Sequence, residues 1–270
     1  MMISTVIKQL IIATAMPETN GFFEWVVYLF TNNIPLFIAG IQNTLLIALT
    51  GTCLGLVIGL VVGAIRATKV HPKDSFIIKL VKRFSIFLSS CYVEIFRGTP
   101  MMVQAMFIYY GLRPLIGWSA LIAGIFIVTI NTGAYMSEII RAGIQSVPKG
   151  QSEAASALGF STKQAMFNII LPQALRNAFP AIGNEFVVNI KDSSVLTVIS
   201  VTELYFQTSS VAGTNYKYME AFFIAACIYF TLTFTVTRIL RFIEKRLSNT
   251  TSNFTGSQTT PDALTLKGED

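Results

Sequence analysis

Acidic and amide side chains lie within segments of this chain that are otherwise apolar, and their spacing points to a shared role. Glu185, Asn189 and Asp192 are four and three residues apart, which places them on one face of a helix. Asn131 and Glu138 share a second face, two helical turns apart. An ionisable residue at the centre of a membrane-spanning helix costs about 2.5–3.5 kcal/mol, so it usually faces a partner or a watery cavity. The two faces therefore predict the lining of a path across a membrane. The alternative is that the acids only form ion pairs between helices or lie near the membrane surface.

The composition places these polar faces in a helical membrane protein. Of the 270 residues, 53% are hydrophobic and 13% are charged, whereas soluble domains carry about 25% charged residues. Because a backbone in lipid must satisfy its own hydrogen bonds, the long apolar runs predict helices. We expect an all-α protein with five crossings, at roughly 37–65, 75–113, 119–140, 180–201 and 219–243.

The two ends of the chain differ from this transmembrane domain, which we place at 37–246. Residues 1–36 are mixed in character and predict an extracytoplasmic or interfacial lead-in, since the apolar patch at 6–15 is too short to span. Residues 247–270 are rich in Ser, Thr and Asn, and we expect a disordered cytoplasmic tail.

Glycine spacing predicts how the first crossing packs. Gly51, Gly55, Gly59 and Gly63 recur every four residues and form a ridge of small residues along one side of the helix. Such a ridge lets another helix approach closely.

The second crossing contains a break at Gly98 and Pro100, where the helical hydrogen bonds are interrupted. One interpretation is a hinge that bends between two states of the protein. The other is a static kink in which Arg97 satisfies the freed carbonyl groups. The residues leave both interpretations open.

Basic residues predict the orientation of the chain, with the N-terminus outside and the C-terminus inside. Only Lys8, Arg113 and Lys217 then fall outside, and Arg97 and Lys191 lie at membrane depth. The other fifteen of the twenty basic residues face the cytoplasm: Arg66, Lys69, Lys73, Lys79, Lys82, Arg83, Arg141, Lys149, Lys163, Arg176, Arg238, Arg241, Lys245, Arg246 and Lys267. The net charge of +6 is thereby explained by cytoplasmic loops, and we expect no nucleic acid partner.

Residues for metal binding or nucleophilic catalysis are scarce. Cys53, Cys91 and Cys227 are spread singly through apolar segments, and His71 is the one histidine. We therefore expect no metal site, no catalytic residues and no bound cofactor.

The cytoplasmic loop at about 142–176 predicts a pair of short helices that fit against another protein. Residues 151–158 are good helix formers, with Ser152 as a candidate N-cap. Their alanines expose little side chain, so the helix could lie deep in a groove, and Gly159 allows the left-handed end. A second helix is expected at 162–170, limited by Pro172. The residues that set this loop apart are Glu153, Ala154, Ala155, Gly159, Ile169, Leu171 and Pro172.

These positions match the EAA signature, EAA-x3-G-x9-I-x-LP, and the chain thereby resembles the permease subunits of ABC importers. Flanking segments resemble the polar amino acid permeases of the glutamine, histidine and arginine type within that family, among them Phe96-Arg97-Gly98-Thr99-Pro100 and Ile190-Lys191-Asp192-Ser193-Ser194. The resemblance covers about 37–246. It implies the five-span type I importer permease fold, in which the loop forms coupling helices that bind a cleft of the ATP-binding subunit.

The resemblance also implies function and partners. It implies a permease in a bacterial cytoplasmic membrane, surrounded by lipid, that moves a polar or basic L-amino acid inward by alternating access. The chain has no G-x4-GK[ST] phosphate loop, so ATP would be bound by two separate cytoplasmic subunits. An extracytoplasmic amino-acid-binding protein and a second permease, identical or similar, complete the implied complex.

An ion-coupled secondary transporter is the alternative. Acids inside the membrane would fit it, but an odd number of crossings without an inverted repeat argues against it.

Within the family interpretation, the charges predict the solute. Glu185 and Asp192 suit an ammonium group or a basic side chain, and Arg97 or Lys191 could meet a carboxylate. Two acids favour a cationic or neutral polar amino acid over glutamate.

Overall fold

The computed structural model describes residues 16–17, 21–68, 70–72 and 74–252, and most of these residues are helical. The first fifteen residues of the predicted lead-in, which include the apolar patch at 6–15, lie outside the described ranges, as do residues 253–270 of the predicted tail. The elements in chain order are α1 (Phe22–Asn32), α2 (Ile34–Ala67), α3 (Phe76–Gly98), α4 (Met101–Ile116), α5 (Ala120–Ser146), α6 (Lys149–Ala157), α7 (Thr162–Ala165), a π-helical turn (Met166–Ile170), α8 (Leu171–Asp192), a 3-10 helix (Ser193–Ile199), α9 (Leu204–Asn215) and α10 (Tyr218–Ser252).

The predicted glycine ridge is the contact between α2 and α5. A Cβ built on Gly51 would lie 2.5 Å from Val128 Cγ1, and one on Gly59 would lie 2.4 Å from the Cβ of Met136. Real Cβ atoms do not approach that closely, so only glycine permits this spacing of the helices. The ridge prediction is confirmed. Helix α5 in turn packs against α8, the helix that carries Glu185, Asn189 and Asp192.

We expect Gly59→Leu to destabilise the protein, because the new side chain must push α2 away from the backbone of Met136, 2.8 Å from the added Cβ. Overpacking of this kind costs typically about 1–3 kcal/mol. Thermal unfolding of the purified protein in detergent measures the effect. Gly111→Leu is the matched control, since nothing lies within 4 Å of a Cβ at Gly111. Equal melting temperatures for the two variants would contradict the ridge.

Several predicted boundaries are corrected. Residues 22–32 of the predicted lead-in form α1, whose Trp25 and Leu29 are buried with Leu204 of α9 and Ala221 of α10. The predicted start of the transmembrane domain at 37 falls inside α2, and helix α10 continues past the predicted end at 246 to Ser252. The lead-in is thus partly a packed helix, because aromatic residues there cover the first turns of the last helix.

The helix of the fourth predicted crossing begins at Leu171 rather than near 180, and it follows α7 and the π turn without a break. Pro172 therefore does not end the second loop helix. It lies in the first turn of α8, and the amide of Leu171 bonds to the carbonyl of Met166 five residues back. The wider π turn adds a residue to the helix, and the proline sits where its missing N–H is tolerated.

Length and composition identify three helices in the described ranges that could each cross a membrane: Ile34–Ala67, Ala120–Ser146 and Tyr218–Arg246. The crossings at 75–113 and 180–201 stay predictions. The first of these is divided into α3 and α4 at the expected break, between Gly98 and Met101.

Candidate substrate path and coupling loop

Glu185 is a half-buried acid of α8 that meets charges from two directions. It interacts electrostatically with Asp192 on its own helix and with Arg97 at the end of α3. Asp192 is exposed, and the Arg97 side chain is 43% exposed. We call Arg97, Glu185 and Asp192 the acid–arginine site. Within this site, Glu185 lies in electrostatic range of the Asp192 carboxylate and of the Arg97 guanidinium.

Arg97 is held in this position by α5. Its guanidinium carbon lies 5.3 Å from the centre of the Tyr135 ring, and its Nη1 lies 4.0 Å from Oε1 of Glu138. A guanidinium over an aromatic face is stabilised by the ring's negative face. Arg97 therefore keeps most of its hydrogen-bonding capacity for another group.

Glu138 forms ion pairs between helices rather than an open acidic surface. Its carboxylate accepts hydrogen bonds from Arg66 of α2 and from Nη2 of Arg141 at 2.6 Å. Its side chain is 19% exposed. Glu138 therefore fits the alternative of ion pairing, because Arg66 binds one of its carboxylate oxygens and Arg141 binds the other.

Asn189 does not line a path, which corrects the prediction from helical spacing. The side chain is 4% exposed. Its Oδ1 accepts from the Thr132 hydroxyl at 3.1 Å, and its Nδ2 donates to Oγ1 of Thr52 at 2.9 Å. Asn189 joins α8 to α5 and α2, since both halves of its amide are used inside the helix bundle.

Asn131 supports the break between α3 and α4. Its Nδ2 donates to Oε1 of Gln104 at 2.9 Å, and Gln104 Nε2 donates to the carbonyls of Phe96 and Thr99, each at 2.9 Å. These bonds satisfy carbonyls that the break leaves without helical partners. Arg97 does not serve this purpose. The side-chain amide of Gln104, held by that of Asn131, binds the freed carbonyl groups. Pro100 forms the N-cap of α4.

Lys191 points to a different surface. It is exposed and lines a groove between α8 and α10 with Arg238 and Arg241. Along a helix, Lys191 lies roughly 120° from Glu185, so the two cannot face the same space.

We call residues 142–176 the coupling loop, after their predicted role. The helix expected in this loop is present, but it begins earlier than predicted. Helix α6 begins at Lys149 after Pro148, so Ser152 lies inside it and is not the N-cap. Proline at the start of a helix needs no donor there, which explains the earlier beginning. Glu153 and Ala154 are exposed, whereas Ala155 is 1% exposed.

Gly159 ends α6 in the left-handed conformation, as predicted, with φ of 81°. The amide of Phe160 bonds to the carbonyl of Ala155 at 3.0 Å, and the amide of Gly159 bonds to that of Ser156 at 3.1 Å. This pair of bonds is the Schellman ending of a helix. The next helix begins with a capping box between Ser161 and Gln164. Leu171 and Pro172 then join the loop directly to α8.

Glu203 is a buried acid that the sequence analysis missed. It is 0% exposed and caps α9, accepting from the amides of Tyr205 and Phe206 at 2.9 and 2.8 Å. The Tyr229 hydroxyl of α10 also donates to it at 3.0 Å. The sequence signal that could have identified Glu203 as a helix cap is its position directly before the first residue of a helix. Glu203 fixes α9 against α10 and lies apart from the acid–arginine site.

Comparison with known proteins identifies relatives over most of the chain. Residues 59–249 match the family described as binding-protein-dependent transport system inner membrane component. The arginine transport system permease protein of Bacillus subtilis (strain 168) is 34% identical over 222 residues, which are 80% of this chain and 94% of that protein. The glutamine transport system permease protein of Escherichia coli (strain K12) is 36% identical over 217 residues, 79% of this chain and 94% of that protein.

Solved structures agree with these relatives. A crystal structure of an amino acid ABC transporter with histidines has a TM-score of 0.71 and 36% identity, and the match covers 84% of this chain and 99% of that chain. An inward-facing structure of the MetNI methionine ABC transporter, at 22% identity and a TM-score of 0.64, shares the fold. The helical architecture is therefore that of an ABC importer permease, and this chain belongs to the family of inner membrane components of binding-protein-dependent transport systems.

Proposed function

We propose that the chain is the permease subunit of an ATP-driven importer for a cationic or polar L-amino acid. The observation that carries this proposal is the acid–arginine site, where Glu185 interacts electrostatically with both Asp192 and Arg97. An amino acid presents an ammonium and a carboxylate, and this arrangement offers a partner to each. The acids outnumber the base, which favours a solute with net positive or zero charge. Relatives named for arginine and glutamine transport agree with that choice.

The coupling loop supports ATP as the energy source. Around the exposed Glu153, the side chains of Leu158 and Phe167 are 78% and 66% exposed. Apolar side chains on a cytoplasmic loop have no lipid to cover them, so they indicate a protein partner. We propose that two ATP-binding subunits bind here, one for each permease of a pair. Closure of these subunits would move α6. Because α7, the π turn and α8 follow one another without a break, the movement would reach the acid–arginine site.

The remaining parts of the complex follow from the same proposal. A second permease, identical or similar, would complete the pathway, and an extracytoplasmic amino-acid-binding protein would deliver the solute. Alternating access requires a bend that opens each side in turn. The break at Gly98 and Pro100 is the candidate hinge, since a Cβ at Gly98 meets nothing within 4 Å and the segment is not locked sterically.

Uptake by reconstituted proteoliposomes tests the function. The permease is co-expressed and co-purified with its candidate ATP-binding subunit. ATP is supplied on the side of the vesicle membrane where that subunit lies. We expect ATP-dependent uptake of arginine or glutamine without any ion gradient, and weaker uptake of glutamate. Uptake driven by an ion gradient without ATP would instead establish a secondary transporter, and failure to co-purify an ATPase would contradict the proposal.

A further inference from the structure

A groove between α8 and α10 combines three cations with an apolar wall. It has a volume of about 330 Å³ and is lined by Val187, Lys191, Phe230, Phe234, Arg238 and Arg241, with two threonines between them. A smaller cavity of about 180 Å³ shares Val187, Thr237 and Arg241 and extends the groove toward Glu244. We call the larger cavity the α8–α10 groove.

The cations of the groove form no close ion pair with a carboxylate among the described residues. No carboxylate lies within 4.0 Å of Lys191, Arg238 or Arg241 in the part of the chain that the structure describes. The nearest acids in the sequence of these elements are Asp192, which interacts with Lys191, and Glu244 beside the smaller cavity. Arg238 instead lies over the Phe234 ring, 4.8 Å from its centre. Three cations that share one cavity repel one another, so an anion in the groove would stabilise them.

The position of the groove along α10 indicates where that anion comes from. Residues Tyr218–Arg246 are long and apolar enough to cross a membrane, and the basic run begins at Arg238, near the end of that span. Phe230 and Phe234 precede it and are 68% and 48% exposed, stacked with ring centres 5.8 Å apart. The four-carbon stem of Lys191 can carry its ammonium along this apolar wall toward the two arginines. Charge at the membrane boundary and exposed aromatic surface within the membrane thus occur side by side.

We propose that the α8–α10 groove binds an anionic phospholipid, with its phosphate at Lys191, Arg238 and Arg241 and an acyl chain along Phe230 and Phe234. Basic pockets between spanning helices on the cytoplasmic side bind such headgroups, and arginine pairs with phosphate in a bidentate manner. A soluble phosphate would satisfy the cations but leave the aromatic wall unused. The site is separate from the acid–arginine site, because Lys191 and Glu185 occupy different faces of α8.

Native mass spectrometry of the full-length permease in detergent tests this site, with dioleoylphosphatidylglycerol as the anionic probe and dioleoylphosphatidylcholine as the neutral one. The wild-type chain is expected to bind phosphatidylglycerol at least fivefold more tightly than phosphatidylcholine. The Arg238→Gln/Arg241→Gln double variant should lose that preference. Lys191→Gln, at an exposed position, should weaken phosphatidylglycerol binding at least twofold and provides the same readout if the double variant does not fold.

The matched control is the Arg83→Gln/Lys245→Gln double variant, which removes the same charge at two exposed cytoplasmic positions outside the groove and should bind like the wild type. Equal loss in both double variants would show only general attraction to anionic lipid and would overturn the site. Displacement of the lipid by glycerol 3-phosphate at a similar concentration would assign the groove to a soluble phosphate. Cross-linking of Phe230→Cys between two permease copies, unaffected by added phosphatidylglycerol, would assign this face to the second permease and would also overturn the proposal.

Discussion

Glu185→Gln should reduce uptake of a cationic amino acid by about tenfold to a hundredfold. The substitution keeps the size of the side chain and removes the charge that faces Arg97 and Asp192. A hydrogen bond to a charged group contributes about 1.5–3 kcal/mol, and each 1.4 kcal/mol is about a factor of ten. Because the lost partner is an anion, arginine uptake should fall more than glutamine uptake. Initial rates across a panel of amino acids measure both values.

Asp192→Asn should act in the same direction with a smaller effect, since Asp192 is exposed whereas Glu185 is half-buried. The matched control is Glu94→Gln on α3, which removes an exposed acid from a different predicted crossing, at 75–113, and should leave selectivity unchanged. If Glu185→Gln and Asp192→Asn both transport with wild-type rate and selectivity, these acids do not contact the solute. A loss shared equally by Glu94→Gln would indicate a general effect of charge.

Local spacing predicted the elements of this protein more accurately than the partners of its polar residues. The glycine ridge could be predicted because a four-residue repeat marks one side of a helix, whatever packs against it. The left-handed Gly159 and the break at Pro100 likewise depend on residues close in the sequence. Each feature is set by backbone geometry within a few positions, which a sequence displays directly.

Polar residues inside the bundle could not be assigned in the same way. Helical spacing put Asn189 on the face of Glu185, but its environment is set by Thr52, which is 137 residues away in the sequence. Glu138 is paired with Arg66 for the same reason, since α2 and α5 are brought together by packing. Glu203 was missed because its burial depends on Tyr229 of the last helix. Spacing predicts which side chains share a face, and only tertiary structure determines what that face meets.

Charge reversal in the coupling loop, Glu153→Lys, is expected to abolish ATP-dependent uptake or reduce it at least tenfold. Glu153 is exposed on α6, beside a helix end that Gly159 fixes in one geometry. Truncating one partner of a buried charge pair at an interface costs about 2–5 kcal/mol, and a lysine adds repulsion to that loss. Folding should be unaffected, because the side chain forms no ion pair within the part of the chain that the structure describes. Co-purification of the ATP-binding subunit and uptake are measured together.

Two further variants separate the contact of Glu153 from the shape of the loop. Gln151→Lys places a lysine on the opposite side of α6, about 200° away, and should retain assembly and uptake. Gly159→Val strains a residue whose φ is 81°, a conformation that costs a β-branched residue about 1–2 kcal/mol or more, and should weaken assembly without any change of charge. Wild-type co-purification and uptake in Glu153→Lys would refute binding of the ATP-binding subunit at α6. If Gln151→Lys were equally defective, the loop would respond to added positive charge rather than to a contact made by Glu153.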